Sequence, residues 1–185
     1  MFRFARHNKE TPSAFSLLEI TVVLALVAVS LMAIIALVNK VLQVENVTAN
    51  DFIAKGLLTE GVELAEAKRN ANVAVPQAFY SNLMSASPVN GTIYTMRIDY
   101  NGDSTEIGSG GNGLVTAATA RLQYDASNFY QYAPGTPSLF YRMLKNTYHI
   151  ADGRDWLEVE CQVYWSEHGH GSTQKMTMML YNTAP

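Results

Sequence analysis

Apolar residues fall along this chain in three rhythms, and each rhythm predicts a different element. From Ile20 to Val38 they are almost continuous, with Thr21 and Ser30 the polar interruptions. Such a stretch of about 19 residues is long enough to cross a bilayer as a helix. Beyond Val38 the pattern opens. In NKVLQVENVTANDFIAKGLLTEGVELAEAKRN, Val47, Phe52, Ile53, Leu57, Leu58, Leu64 and Ala65 recur at mixed spacings, with Lys40, Glu45, Asp51, Lys55, Glu60, Glu63, Glu66 and Lys68 between them. Spacings of about three to four predict an amphipathic helix. Lys68 and Arg69 suit its carboxyl end, and Asn70, Asn72 and Pro76 supply the stop. The pattern therefore predicts one helix from about Phe15 to Asn70. Gly56 and Gly61 inside it either admit the close approach of another element or weaken the helix.

Residues 71–185 follow a period of two and suffice for one small core. GTIYTMRIDYNGDSTEIG reads as strand, Asn101-Gly102 turn, strand, the strongest short hairpin signal in the chain. Gly108 to Gly113 form a flexible loop, and ARLQYD is a further candidate strand. LFYRMLKNTYHI, WLEVECQVYW and TQKMTMMLYN are three alternating runs separated by ADGRD and SEHGHGS, which predicts an antiparallel meander. In the middle run Val159, Cys161, Val163 and Trp165 take one face, and Glu158, Glu160, Gln162 and Tyr164 the other. The expected fold is α+β: a long amino-terminal helix, membrane-spanning in its first half, packed on an antiparallel sheet.

Charge narrows the partners. The formal charge of −3 carries no basic footprint of the kind that nucleic-acid binding leaves. Arg3, Arg6 and Lys9 against Glu10 give residues 1–14 a balance of +2, so a chain without them would be more acidic. The single cysteine, Cys161, excludes an intrachain disulfide and leaves the compartment undecided.

Candidate chemistry outside the apolar segment is thin. His168 and His170 lack a third metal ligand and lie in a predicted loop. Asp99, Asn101 and Asp103 alternate as in calcium loops, but Gly102 comes one place early and no acidic residue closes the loop, so a hairpin turn is expected. The glycines at 108–113 precede no Lys-Ser/Thr pair, and no nucleophile elbow or zinc-protease helix occurs. No enzyme, metal or cofactor is expected. Cys161 reads as a buried small hydrophobe. The aromatic stretch Tyr124, Phe129, Tyr130, Tyr132, Phe140 and Tyr141 reads as core packing beneath a loop rather than a sticky surface.

One residue breaks the apolar logic of the amino terminus. Glu19 sits at the mouth of the apolar helix, and a carboxylate buried alone in hydrocarbon costs several kcal/mol. A secretory signal peptide does not fit, because Ser13 and Ala14 precede the apolar block instead of following it. A plain anchor with its basic end in the cytoplasm accounts for everything but Glu19. The segment AFSLLEITVVLALVAVSLMAII resembles the processing signal of type IV pilins and type II secretion pseudopilins: a short basic leader, a small residue, a Phe, and a glutamate fifth after the cut. The stretch FIAKGLLTEGVELAEAKRN adds a softer resemblance to minor pilins.

That resemblance implies a leader of residues 1–14, cut by a prepilin peptidase between Ala14 and Phe15, with Phe15 becoming an N-methylated terminus. It implies that Glu19 pairs with the terminal amine of Phe15 on a neighbouring subunit. In a low-dielectric bundle each charge relieves the other's desolvation. Ala14 stands where the family usually has Gly, and Ala36 where many major pilins have a helix-breaking Pro, which favours a continuous helix. The resulting layout is 15–38 as the membrane and filament-core half of the helix, 39–70 as its amphipathic half, and 71–185 as a sheet head. The implied function is a minor pilin or pseudopilin, held in the inner membrane with a cytoplasmic amino terminus before entering a surface or periplasmic filament. Its implied partners are other pilin subunits, the inner-membrane assembly platform and, before assembly, the lipid bilayer. The alternative expectation is a membrane-tethered binding or adhesin domain that never polymerises.

Overall fold

The computed structural model describes residues 16–75, 77–84, 88–107, 113–132, 134–167 and 169–182. The leader 1–14, Phe15, Pro76, the glycines of 108–112 and His168 lie outside the described residues. Two compact units divide between Thr48 and Ala49.

A single helix, α1 (Leu17–Val73), contributes to both units. In the first unit its large apolar side chains, from Leu17 to Val47, are all exposed. In the second unit Ala54, Leu57, Leu58, Gly61, Val62 and Ala65 are buried. Their steps of three and one place them on one stripe of the helix. Half of that stripe is Ala or Gly, which differs from the expected apolar set: Val47, Phe52 and Ile53 remain exposed. Small residues let the helix lie close to its neighbour, so the larger side chains flanking the stripe fall outside the contact.

The helix also runs three residues past the expected end at Asn70. Asn72 is 1% exposed. Its side-chain amide donates to the carbonyls of Phe79 at 2.9 Å and Ser81 at 2.6 Å, and accepts from Gln77 at 2.7 Å. A residue expected to stop the helix instead fastens its last turn to the returning chain.

Among the described residues seven antiparallel strands form one sheet. They are β1 (Ile93–Ile98), β2 (Ser104–Glu106), β3 (Arg121–Tyr124), β4 (Tyr130–Gln131), β5 (Thr136–Ala151), β6 (Arg154–Glu167) and β7 (His170–Tyr181). The last three make the expected meander. Asp152 and Gly153 join β5 to β6 with φ of 53° and 73°, the primed turn whose twist matches the flanking strands. The other edge of β5 is shared: β1 pairs along Leu144–Thr147, and β3 along Thr136–Tyr141. β2 and β4 flank those two. The expected hairpin at Asn101-Gly102 joins β1 to β2, with Gly102 at φ +84°.

The facing of β6 is as the alternation predicts. Val159, Cys161 and Val163 are fully buried and Trp165 nearly so, while Glu158, Glu160, Gln162 and Tyr164 are half-buried. These inward residues join the α1 stripe, Phe79, Leu83, Ile98, Leu122, Phe140, Leu144 and Leu180 in one core. Each large apolar side chain so buried contributes about 1.5–3 kcal/mol. A second, smaller cluster of Ile107, Ala120 and Met143 covers part of the opposite sheet face.

Candidate functional sites in the helix and the head

The apolar segment is one helix long and apolar enough to cross a membrane, and none of that stretch is buried. Its two hydroxyls are satisfied within the helix. Thr21 donates to the carbonyl of Leu18 and Ser30 to that of Leu26, each at 2.8 Å. This is the requirement that hydrocarbon imposes on polar groups with no water to bond. Glu19 lies in the first turn, where the helix dipole favours a negative charge. Its N–H donates to the carbonyl of Ser16 at 2.9 Å. Among the described residues no cation pairs with its carboxylate. Ala14 and Phe15, the other two predicted site residues, lie outside the described residues.

In the head the chemistry centres on a residue that the sequence reading does not single out. Arg142, on β5, is fully buried. It is held by three elements. Its Nη1 lies 3.1 Å from Glu60 Oε1 and 3.3 Å from the carbonyl of Leu57, both on α1. Its Nη2 donates to the carbonyl of Ile98 on β1 at 3.2 Å. Its Nε donates to the Tyr132 hydroxyl at 3.3 Å, and that hydroxyl donates to the carbonyl of Arg142 at 3.0 Å. The guanidinium carbon also stands 5.6 Å from the Tyr132 ring centroid.

Burial works against the cation, but Tyr132 and Glu60 outweigh it and push the Arg142 pKa up. Burial likewise pushes the Tyr132 hydroxyl up, so it stays protonated. Desolvation raises the neighbouring Cys161 thiol to about 12, against the pull of Arg142. Cys161 is therefore an inert, neutral side chain, as expected from its place on the strand. Glu60 keeps 37% of its side chain in solvent, so the ion pair is buried at one end only. The arrangement is a strut between helix and sheet, and buried charge of this kind specifies geometry more than it adds stability.

The remaining candidates resolve into local structure. Asp99, Asn101 and Asp103 spend their side chains on the hairpin turn. Asp99 accepts from the N–H of Tyr100 at 2.9 Å, and Asn101 accepts from the N–H of Asp103 at 3.0 Å while donating to its carboxylate at 2.8 Å. His170 opens β7 and is exposed. Among the described residues no three His, Cys, Asp or Glu side chains gather to hold a metal. The aromatic stretch divides: Tyr132 and Phe140 lie in the core, Tyr124, Tyr130 and Tyr141 are half-buried, and Phe129 is 67% exposed.

No protein-family model, curated protein or solved structure matches the chain.

Proposed function

We propose that the chain is a prepilin-like structural subunit, a minor pilin or pseudopilin of a type IV pilus or type II secretion filament, and not an enzyme. The observation that carries the reading is Glu19. It is the sole ionisable residue between Ser16 and Asn39, in the first turn of a helix whose large apolar side chains from Leu17 to Val47 are all exposed. A bilayer covers such a surface but gives the carboxylate no partner. A bundle of copies gives it one, the amine left at Phe15 when the leader is removed. The rest of the layout supports the same reading, since the distal part of α1 seats on an antiparallel sheet through a stripe of small residues.

The mass of the mature chain tests the reading. The chain recovered from membranes and sheared filaments is expected to lack residues 1–14 and to carry one methyl group on Phe15. An intact leader in both fractions overturns the filament reading and leaves a membrane-tethered domain.

A further inference from the structure

A hollow of about 600 Å³ opens on the head between two hairpin tips and the flank of α1. It is lined by Glu60, Leu64 and Tyr130, by Tyr100 from the β1–β2 tip and by Phe129 from the β3–β4 tip. Those two rings are 56% and 67% exposed. Single exposed aromatic residues are common on protein surfaces and by themselves mean little. Here each stands on a tip that is braced.

At the β3–β4 tip the Asp125 carboxylate accepts from the N–H groups of Ser127 and Phe129, both at 2.8 Å. The backbone closes the same loop, Asp125 donating to the carbonyl of Phe129 at 3.0 Å. At the β1–β2 tip the N–H of Gly102 donates to the carbonyl of Asp99 at 2.8 Å. Lys68 Nζ donates to the Gly102 carbonyl at 3.1 Å and ties that tip to the helix. The backbones that carry the two rings are thus braced before any ligand arrives, which lowers the ordering cost of binding.

The ionisable side chains that line the hollow are acidic. Glu60 and Asp125 line it, and among the described residues no Lys, Arg or His side chain does. Arg142, buried behind Glu60 at 3.1 Å, balances that carboxylate, and Lys68 is bonded to the Gly102 carbonyl, so Asp125 supplies the negative charge left over. A cation on an apolar stem matches these features: ring faces attract it, the Asp125 carboxylate neutralises it, and Leu64 covers the stem.

We propose that this hollow is a docking site for a lysine or arginine side chain presented by a partner polypeptide, with Tyr100 and Phe129 against the cation and Asp125 supplying the opposing charge. A polypeptide is the source because both rings keep more than half their surface free to meet the main chain that carries the cation. The site belongs wholly to the head, so it stands or falls independently of the filament reading.

The test is an NMR titration of the full chain, with labelled Phe and Tyr rings, in a neutral maltoside micelle, since choline detergents are themselves aromatic-cage ligands. Nα-acetyl-lysine methylamide and Nα-acetyl-arginine methylamide are expected to shift the Phe129 and Tyr100 ring signals saturably. The citrulline and glutamate analogues are expected to leave them unmoved. Phe129→Leu keeps the apolar bulk but removes the ring, and is expected to weaken binding by about two- to thirty-fold. Asp125→Asn keeps the acceptor that braces the loop and removes the charge, and is expected to weaken it further as salt is lowered relative to the unmodified chain. Binding of citrulline equal to arginine, no shift with either cation, or an unchanged affinity in Phe129→Leu overturns the proposal. n-Butylammonium binding as tightly as the lysine derivative overturns the polypeptide source.

Discussion

Two glycines five residues apart in α1 are expected to respond to the same substitution with opposite signs. A Cβ placed on Gly56 meets nothing within 4 Å, so Gly56→Ala changes only the backbone. Glycine inside a helix costs about 0.5–1 kcal/mol relative to alanine, and the variant gains that amount. A Cβ placed on Gly61 stands 2.7 Å from Cys161 Sγ and 3.2 Å from Arg142 Cδ. Ordinary contact begins near 3.4 Å, so the closer approach falls short by about 0.7 Å (3.4 − 2.7). Neither neighbour gives way easily, because both side chains are fully buried and Arg142 is bonded to three elements. Overpacking of this kind costs about 1–3 kcal/mol. After the gain in helix propensity, Gly61→Ala is expected to destabilise the head by up to about 2.5 kcal/mol.

Urea unfolding of a fragment starting at Asn39 measures both variants, since the core lies within the unit that begins at Ala49. Adding Cys161→Ala removes the sulfur that Gly61→Ala strikes. The double-mutant cycle should then return a favourable coupling of at least about 0.5–1 kcal/mol for Gly61→Ala with Cys161→Ala and none for Gly56→Ala with Cys161→Ala. Equal stabilisation by both alanines, or no coupling to Cys161, refutes the close seating of the helix on β6.

Three further outcomes are expected. Val159→Asp buries an unpaired carboxylate and should cost several kcal/mol in urea unfolding, and Gln162→Asp on the opposite face little; Val163→Asp should fall between them, because Val163 lies directly across from the buried cation Arg142. The Cys161 thiol is raised by burial from 9.0 to about 12, so its unfolded form ionises first as pH rises. The stability it contributes is present below pH 9 and is lost as pH climbs from 9 towards 12, at up to about 1.4 kcal/mol per pH unit, so Cys161→Ala should make the slope shallower, while Tyr130, Tyr132 and Tyr148, also raised by burial, keep a loss of their own above pH 10. Glu19→Ala should leave membrane insertion intact and lower the filament-to-membrane ratio, and an unchanged ratio in sheared preparations removes any assembly role for Glu19.

Much of the fold is legible because it depends on near neighbours in the chain. The continuous apolar run, the β1–β2 hairpin and the three closing strands are each written within a window shorter than the element's own neighbours in space. The β6 facing follows from alternation alone. The α1 stripe is less legible. Its contact residues include Ala54, Gly61 and Ala65, and a reading that ranks positions by hydrophobicity picks Phe52 and Ile53 instead. Close packing selects for small volume, which hydrophobicity does not register. Asn72 misleads for a related reason: asparagine near a helix end signals a stop by propensity, and here its bonds to Phe79 and Ser81 outweigh that preference.

The two charges that break an apolar pattern, Glu19 and Arg142, differ in legibility for a reason that lies in where their partners come from. Glu19 is conspicuous because every residue from Ile20 to Val38 is uncharged, so one window suffices to pose the question of its partner. Arg142 hides in LFYRMLKNTYHI, where both alternating sets look serviceable. Leu139, Tyr141 and Met143 make one candidate inner face, and Phe140, Arg142, Leu144, Asn146 and Tyr148 make the other. The second set points inward although two of its members are polar. What settles the choice is β6, whose inward set Leu157, Val159, Cys161, Val163 and Trp165 has no polar side chain beyond a thiol, and whose register places Val163 opposite Arg142 and Val159 opposite Asn146. An unambiguous strand thus forces its ambiguous neighbour to bury an arginine and an asparagine. The arginine then needs Glu60, Leu57, Ile98 and Tyr132, which no local window brings together. A variant that swaps the ambiguity, Arg142→Leu with Glu60→Gln, tests this directly: if β5 keeps its register and the head still folds, the alternation of β6 sets the facing, and the buried charge is a consequence of the register and not its cause.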